Sequence, residues 1–424
     1  MSKLHKYAFS DLYDISSGIS STKEQAGHGA PFVSFSTVFN NYFLPDELPD
    51  LMDTSAVDQE KCSVKKGDIL ITRTSETVDE LAMSCVVLKD YPKATFSGFV
   101  KRLRPKTTGV AYDKYMAFFL RSEYFRKVIN AKTIMTLRAS FNEDIFSFLD
   151  LYLPDYKEQV KIGDFLYNIE KKIQCNKKIN DNLQHQLKQL YDYWFTQFDF
   201  PDENGKPYRA SGGAMVWNEQ LKKKIPKDWK VSPFNSMLNI LKDGTHNPPK
   251  RVENGVPLLT GTMFDDSFLD YSKATYITQD DYDTIHSQYA PQEGDIIITK
   301  IGTIGNVNYL RKIDIPIAIH CNSALLRFKP DYDSSYSLFM CKSATFQKRL
   351  EFAKGQSVQA FVSLDRIGSI LVEVPTPNVT KQFNENTKEM LDAMINISLE
   401  NKHLTYLRDW LLPMLMNGQA TISD

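Results

Sequence analysis

Two short motifs contain residue types that catalysis or cofactor binding would use. Asn247-Pro248-Pro249-Lys250 begins like the Asn-Pro-Pro-aromatic motif of adenine methyltransferases, whose aromatic ring stacks on a flipped base, but a lysine follows the prolines here. Gly302-Thr303-Ile304-Gly305 lacks the spacing of a dinucleotide-binding fingerprint and does not open a convincing helix. We therefore interpret the first motif as a stiff loop and assign no cofactor to the second.

Other catalytic and metal-binding signatures are missing from the sequence. It contains no GxxxxGK[ST] phosphate loop, and its histidines have no partner at nucleophile or metal-ligand spacing. The cysteines lie far apart without a CxxC pair, so we expect buried free thiols in a reducing cytoplasm; they are Cys62, Cys85, Cys175, Cys321 and Cys341. The sequence predicts no catalytic residue, no metal site and no cofactor bound by this chain.

An internal repeat organises the elements that surround these residues. A block ending in a long helix recurs about 220 residues later with the same parts in the same order. The matches are Asp11–Gly18 with Met237–Gly244, Pro31–Val33 with Pro257–Leu259, Gly67–Arg73 with Gly294–Lys300, Arg104-Pro105 with Lys329-Pro330, Thr136–Pro154 with Ser357–Pro375, and Leu187–Asp192 with Leu404–Asp409. Two long units of this kind predict a pseudo-dimer with an internal two-fold repeat.

Each unit has the pattern of a mixed α/β (α+β) domain in which strands predominate. Short runs rich in β-branched residues and bounded by turn formers, such as Asp68–Thr72, predict strands in residues 1–155 and again in 233–380. We expect one helix over Tyr112–Asn130 and its counterpart over Ser335–Phe352. The 424 residues suit two such domains of about 150 residues with connecting segments.

The segments 156–200 and 381–416 predict two long coiled-coil helices. Apolar residues repeat at alternating spacings of four and three, which is the period of a coiled-coil seam. The predicted seam consists of Ile162, Leu166, Ile169, Ile173, Leu183, Leu187 and Leu190 in the first helix, and of Met390, Met394, Ile397, Leu404, Leu407 and Leu411 in the second. A helix over Lys157–Thr196 would be roughly 60 Å long. We expect the two helices to pair with each other in antiparallel orientation. Asparagines at seam positions, such as Asn176, Asn180 and Asn401, are either register markers or polar residues that the seam tolerates.

Residues 201–232 form the predicted linker between the units, because proline and glycine dominate its turns. Its cluster Lys222-Lys223-Lys224 fits a solvated face, with phosphate contact as the alternative.

The overall charge balance does not favour nucleic-acid binding. The chain has 51 Lys and Arg against 52 Asp and Glu, a formal net charge of −1. A DNA surface would therefore need a local concentration of basic residues, or affinity shared with another subunit. The N-terminal residues have no apolar signal core and no apolar run is long enough to span a membrane, so we expect a cytoplasmic protein.

Taken together, the repeat, the helices and the linker resemble the specificity (S) subunits of type I restriction-modification systems. The resemblance covers essentially the whole chain. It is carried by Pro154–Gln159, Asp202–Tyr208, Ile225–Trp229, Asp243–His246 and Leu404–Pro413. One departure is Thr380-Lys381-Gln382, where the family has a Glu-Gln pair, which leaves the start of the second helix open.

The resemblance implies two target recognition domains that each bind one half of a bipartite double-stranded DNA sequence, held apart by the paired helices. It also implies two methyltransferase (M) subunits, which bind S-adenosylmethionine, and motor-nuclease (R) subunits, which bind ATP and Mg²⁺, as partners. No membrane association is implied. Because half-sites about 34 to 36 Å apart lie on one face of B-DNA, a fixed spacer would make the gap part of the specificity.

Recognition of base edges needs Arg or Lys for guanine, Asn or Gln for adenine, and Ser or Thr for either. We select polar loop residues at repeat-equivalent places as candidate DNA contacts. They are Ser21, Thr22, Lys23, Arg73, Thr74, Lys132 and Arg138 in the first domain, and Thr245, His246, Lys250, Lys300, Thr303, Gln356 and Gln359 in the second. Two alternative functions stay open: a DNA methyltransferase acting alone, and a coiled-coil scaffold protein without DNA specificity.

Overall fold

A computed structural model describes most of the chain. The described residues are 4–75, 80–132, 139–244, 249–265, 268–269, 274–311, 315–332, 334–354 and 361–422.

Helices and strands alternate irregularly along the chain, which confirms the predicted mixed α/β class. The strands are β1 (Leu4–Ala8), β2 (Tyr13–Ser17), β3 (Ala26–Val33), β4 (Asp50–Met52), β5 (Ile69–Thr72), β6 (Thr74–Ser75), β7 (Ser84–Val86), β8 (Thr95–Phe96), β9 (Val100–Pro105), β10 (Ala139–Ser140), β11 (Asp150–Pro154), β12 (Met215–Asn218), β13 (Lys223–Pro226), β14 (Lys230–Pro233), β15 (Leu238–Asp243), β16 (Val256–Leu259), β17 (Phe264–Asp265), β18 (Phe268–Leu269), β19 (Thr275–Ile277), β20 (Ile296–Thr299), β21 (Val307–Tyr309), β22 (Ala318–Ile319), β23 (Ser323–Phe328) and β24 (Leu371–Val374). The helices are α1 (Phe9–Leu12), α2 (Phe35–Asn40), α3 (Ala56–Lys61), α4 (Asp113–Phe119), α5 (Glu123–Lys132), α6 (Glu143–Ser147), α7 (Tyr156–Tyr191), α8 (Gln279–Ile285), α9 (Ser335–Lys342), α10 (Ala344–Phe352), α11 (Leu364–Ser369) and α12 (Pro377–Met416).

The chain divides into two units, and each contains a piece of both long helices. The first unit comprises residues 1–175 and 401–424, and the second comprises 176–400. The division therefore falls inside α7 and inside α12. The first unit is made of sequence segments far apart in the chain, whereas the second is continuous.

The two units have the same sheet plan. In the first, a four-stranded sheet has the order β2-β9-β5-β7 and a three-stranded sheet has the order β4-β3-β8; in the second, the orders are β15-β23-β20-β21 and β19-β16-β22. The central strands β5 and β20 are buried at every residue, so an uninterrupted apolar run fits them. This correspondence confirms the repeat and the two-domain plan.

Corresponding buried ion pairs lie in the two larger sheets. Arg104 pairs with Asp68 at 2.7 Å, and Arg327 pairs with Asp295 at 2.8 Å. The sequence match of Arg104-Pro105 with Lys329-Pro330 is therefore wrong, because Arg327 is the counterpart of Arg104. A β-bulge between Leu238 and Ile240 adds a residue to β15 and alters the offset between the repeats.

The predicted single helices over Tyr112–Asn130 and Ser335–Phe352 are also wrong, because each is two helices in the structure. The break follows from one serine in each unit. The Ser122 hydroxyl donates to the Phe119 carbonyl at 2.6 Å and accepts from the Phe125 amide at 3.3 Å. Ser343 makes the same two bonds, at 2.7 and 3.2 Å. A serine that closes one helix and caps the next favours a bend over a continuous helix.

Within each unit the pieces of α7 and α12 run antiparallel. In the first unit Glu170 pairs with Arg408 at 2.6 Å and the Asn401 amide donates to the Ile173 carbonyl at 3.3 Å. In the second unit Asn176 donates to Glu400 at 2.7 Å, and Asn180 donates to the Ser398 hydroxyl at 2.7 Å. These three asparagines bond across the helix pair, as expected of register markers.

The predicted seam follows the buried face more closely in α7 than in α12. In α7, Ile162, Leu166, Ile169, Ile173 and Leu187 are buried, and Leu183 and Leu190 pack at the edge of the core. In α12, Met394 is buried, but Met390, Ile397, Leu404 and Leu411 are only half-buried. Leu407 is 39% exposed and is not a seam residue. Arg408, Leu391 and Leu412 face inward instead, which shows that the assigned repeat is displaced by one residue over much of this helix.

Both long helices begin with a buried polar side chain that holds the neighbouring domain. Gln159 donates to the Val110 carbonyl at 2.9 Å, and the Thr380 hydroxyl donates to the Asp331 carbonyl at 2.6 Å. The departure at Thr380 thus keeps the contact with a shorter side chain, and α12 begins at Pro377.

Three other sequence-based predictions concern cysteines, the linker and membranes. Cys62, Cys85 and Cys341 are buried free thiols, but Cys175 is exposed and Cys321 is half-buried, so the prediction of burial is wrong for these two. Strand β14 pairs with β24, which places the end of the predicted linker against the second domain. Among the helices of the described ranges, none is long and apolar enough to cross a membrane.

Candidate nucleic-acid interface

Four short segments of the first domain are joined at one end of its larger sheet by backbone hydrogen bonds. We call this region the first loop edge; it comprises residues 19–23, 73–75, 97–99 and 139–140. The Gly98 amide donates to Ile19 at 2.6 Å, and the Arg73 amide donates to Phe99 at 2.8 Å. A further pairing of β6 with β10 brings Ser140 opposite Thr74. Backbone bonding of this kind gives the loops a defined conformation.

Several candidate DNA contacts lie on this edge. Ser21, Thr22 and Lys23 are exposed, and Lys23 begins a short 3₁₀ turn that is closed by a capping box between Thr22 and Gln25. Arg73 is exposed and Thr74 is half-buried. Of the remaining candidates, Lys132 is the last residue of α5, its side chain lies outside the described part, and Arg138 lies outside the described residues.

The second loop edge comprises residues 249–251, 300–306, 320–322 and 361–362 of the second domain. The Lys300 amide donates to the Asn322 carbonyl at 2.8 Å, as the Arg73 amide does to Phe99. The Val362 amide donates to Lys300 at 3.0 Å, as the Phe141 amide does to Arg73 at 2.7 Å. The backbone therefore has the same bonding pattern at both edges.

The second-domain candidates divide into three groups. Lys250 and Thr303 are exposed at the edge. Thr245, His246, Gln356 and Gln359 lie outside the described residues. Lys300 is buried: its side chain is 7% exposed and its amine contacts Asp243 at 2.7 Å. Its role as a DNA contact stays a prediction.

The first domain places a buried lysine differently. Lys101, on β9, is 8% exposed at its side chain; its amine donates to the Ser17 hydroxyl at 2.9 Å and lies 3.5 Å from the carboxylate of the exposed Glu143. Ser17 and Asp243 are the last residues of the corresponding strands β2 and β15. Both domains thus bury a lysine amine at the end of this strand. In the first domain that lysine is Lys101 of β9, and Arg73, which corresponds to Lys300, faces solvent.

Two neutral histidines support the second loop edge. The His286 Nε2 accepts from the Ile319 amide at 3.2 Å, and the His320 Nδ1 accepts from the Asn322 amide at 3.2 Å. Burial lowers the pKa of both histidines below 6.5, and the nearby Arg251 guanidinium lowers that of His320 further. An accepting nitrogen cannot carry a proton, so the geometry and the direction of the pKa shifts agree.

The linker lysines have mixed environments. Lys222 is exposed and pairs with Glu219 at 2.8 Å. Lys223 contacts the buried Glu373, which also binds Arg349 at 2.7 Å. Although burial opposes ionisation, these two cations hold the pKa of Glu373 at about 2. Lys223 is therefore part of a buried charge network, not of a solvated face.

The sequence-based selection omits the corresponding residues of the turns before β9 and β23, namely Phe99 and Asn322. Phe99 is 61% exposed beside Arg73, and Asn322 occupies the corresponding place beside Lys300. A selection limited to polar residues excluded the phenylalanine. Alignment of the turns before β9 and β23 would have found both. Within the described residues, no three His, Cys, Asp or Glu side chains form a group that could hold a metal ion.

The fold and the loop edges define a class of protein with two copies of an α/β domain. Both copies have a loop edge with the same backbone hydrogen bonds, and each unit contains a piece of both long helices. A model of the type I restriction modification DNA specificity domain matches residues 1–185 and 226–407. The chain belongs to this family, whose members are non-catalytic DNA-recognition components of restriction-modification complexes.

Similar proteins include two specificity subunits. The chain is 22% identical to the type I restriction enzyme HindI specificity subunit of Haemophilus influenzae, over 96% of this chain and 98% of that protein. It is also 22% identical to the type I restriction enzyme MjaIX specificity subunit of Methanocaldococcus jannaschii, over 86% and 81% of the two chains. The fold is similar to that of a type I restriction-modification system S subunit from M. genitalium, with a TM-score of 0.58, 16% identity, and coverage of 98% and 96%.

Proposed function

We propose that this chain is the subunit that selects the DNA sequence for a type I restriction-modification complex, with each domain recognising one half of a bipartite target. The observation that carries the proposal is the repetition of one backbone bonding pattern under different side chains. Phe99 at the first edge corresponds to Asn322 at the second, and the exposed Arg73 corresponds to Lys300, whose side chain is buried. Side chains that differ on a common backbone suit two half-sites of different sequence.

The paired helices suit a spacer between the two recognition domains. Their antiparallel pairing includes buried apolar residues, three asparagine hydrogen bonds and the ion pair of Glu170 with Arg408. A helix pair with a defined register resists sliding. In this proposal the helices set the gap between the half-sites and also bind the methyltransferase subunits.

The partners complete the activity. Two methyltransferase subunits would supply S-adenosylmethionine, and motor-nuclease subunits would supply ATP hydrolysis with Mg²⁺, while this chain would bind no cofactor itself. Shared DNA contact with these subunits would also account for binding by a chain whose net charge is −1. The complex would act in the cytoplasm.

The proposal is tested by selecting bound duplexes from randomised DNA with the chain purified together with its methyltransferase subunit. Two short specified blocks separated by a fixed unspecified gap would support it. An intact complex that enriches no sequence would overturn it and favour the scaffold alternative. S-adenosylmethionine binding by the chain alone would favour the alternative of a methyltransferase acting alone.

A further inference from the structure

A turn of four residues precedes the strand β9 in the first domain and the strand β23 in the second. In the first turn the Val100 amide donates to the Ser97 carbonyl at 2.9 Å, and the Phe99 amide donates to the Ser97 hydroxyl at 3.2 Å. In the second turn the Ser323 amide donates to the His320 carbonyl at 3.0 Å, and the Asn322 amide donates to His320 Nδ1 at 3.2 Å. The two turns are therefore the same structure built from different residues.

The third residue of each turn is presented at its loop edge. The Phe99 carbonyl accepts from the Arg73 amide and the Asn322 carbonyl accepts from the Lys300 amide, both at 2.8 Å. These bonds fix the backbone of Phe99 and Asn322, so their side chains extend from an ordered turn. Phe99 is 61% exposed and Asn322 is half-buried.

The surroundings of Phe99 are unusual for an exposed apolar side chain. The Phe99 carbonyl accepts from the amide of Arg73, whose side chain is exposed. The preceding Gly98 amide donates to Ile19, which lies two residues before the exposed polar segment Ser21 to Lys23. An exposed aromatic ring on a turn whose backbone is bonded to segments with exposed cationic and hydroxyl side chains matches DNA, which offers phosphates next to apolar base surfaces. The second edge likewise has exposed cations, Lys250 and Arg251.

We propose that Phe99 and Asn322 occupy one shared base-contacting position, in which Phe99 packs on a thymine methyl group of the first half-site and the Asn322 amide binds an adenine of the second. The inference rests on the proposed function, because it names the residues through which two corresponding turns would distinguish bases. Thymine alone presents a methyl group in the major groove, and an asparagine amide matches the adenine N6 and N7 pair.

The first test compares DNA selection by the complex of the full chain with its methyltransferase subunit. Phe99→Ala should relax one position of the first block and leave the second block unchanged. Asn322→Ala should relax one position of the second block only. Phe148→Ala and Phe352→Ala are matched controls, since these rings are 75% and 78% exposed but belong to neither turn: Phe148 follows α6 and Phe352 is the last residue of α10. Neither control should change the motif.

The second test uses the selected DNA and replaces one thymidine by deoxyuridine, which removes only the methyl group. The replaced thymine is the one at the position where Phe99→Ala loses base preference. Wild-type affinity should fall about 3- to 10-fold, whereas the affinity of Phe99→Ala should be unchanged by the replacement. Equal losses for wild type and Phe99→Ala would overturn the contact with the methyl group.

The failures of the two hypotheses are distinguishable. A wild-type complex without a bipartite motif would contradict the proposed function. A wild-type complex with such a motif, and Phe99→Ala and Asn322→Ala complexes with the same motif, would overturn only the further inference. Thermal unfolding of each variant should match wild type, because neither side chain belongs to a hydrophobic core.

Discussion

The two loop edges share their backbone and differ in the side chains beneath it. At the first edge the Ser97 hydroxyl accepts a hydrogen bond from the Phe99 amide, and the Lys101 amine donates to the Ser17 hydroxyl. At the second edge the His320 ring accepts a hydrogen bond from the Asn322 amide, and the Lys300 amine pairs with the Asp243 carboxylate. The repeat has thus kept the hydrogen bonds of the main chain while the polar groups that support them diverged. Two domains of one origin can therefore differ in stability and pH response as well as in sequence preference.

The largest effect is expected from removing an ion pair that both domains contain. Asp68→Ala and Asp295→Ala each leave a partly buried arginine without its carboxylate and should cost about 3 to 5 kcal/mol of unfolding free energy. Denaturant unfolding measures the loss. Asp14→Ala is the control, since its pair with Lys106 is exposed and should contribute less than about 1 kcal/mol. A loss confined to one domain would show that the sheets are not equivalent.

The next pair of variants is expected to destabilise the two domains to different extents. Asp243→Ala leaves the Lys300 amine buried without its carboxylate and should cost about 3 kcal/mol, while Ser17→Ala removes one neutral acceptor from Lys101 and should cost about 1 kcal/mol. Adding Lys300→Met to Asp243→Ala should restore most of the loss, because no charge is then left buried. Equal losses for the two single variants, measured by denaturant unfolding, would remove this distinction between the edges.

Arg73 gives a smaller, purely functional contrast. Arg73→Ala should weaken binding of the first half-site by about 1 to 3 kcal/mol without changing the unfolding temperature, because the side chain is exposed. Lys300→Ala should instead act mainly on stability. Binding titrations with duplexes altered in one half-site at a time measure both effects. A loss that is equal in both half-sites for Arg73→Ala would contradict independent recognition by the two domains.

The smallest expected effect is one of pH. His286 and His320 are held neutral, so the folded second domain resists their protonation while the unfolded chain does not. Its stability should therefore be fully present above about pH 6.5 and decrease as the pH falls through the lowered pKa values of the folded state. The first turn uses Ser97 and should not respond in this range. Half-site binding measured from pH 7.5 to 5.5 should weaken in the second block first, and His320→Ser should reduce that dependence.

Sequence reasoning succeeded where a pattern is local and repeated. The buried strands β5 and β20 and the long helices follow from short apolar periods, and the places of the loop edges follow from the repeat. It could not predict burial where a distant partner decides it. Lys300 turns inward because of Asp243, which is 57 residues away in sequence, and Arg73 has no carboxylate at that place.

The errors in the helices have separate causes. Ser122 and Ser343 end one helix and cap another through bonds that a composition window does not detect. Arg408 faces inward in α12 because Glu170 neutralises it, so Leu407 is displaced to the surface. An assigned 3.5-residue period also drifts by about 20° per heptad against an ideal helix, which is enough to misplace a seam by one residue.

The division of the chain into a continuous and an interrupted unit affects the order of folding during synthesis. The core of the first unit includes Leu412, Leu415 and Met416 together with Phe9 and Leu166. At roughly 5 to 20 residues per second, the ribosome needs on the order of 10 to 45 s to make the intervening segment of roughly 225 residues. Residues 176–400 can therefore complete their own core first, while the earlier-made first unit keeps an apolar surface open until its last helix emerges. Nascent first units would be the form of this protein most dependent on chaperones.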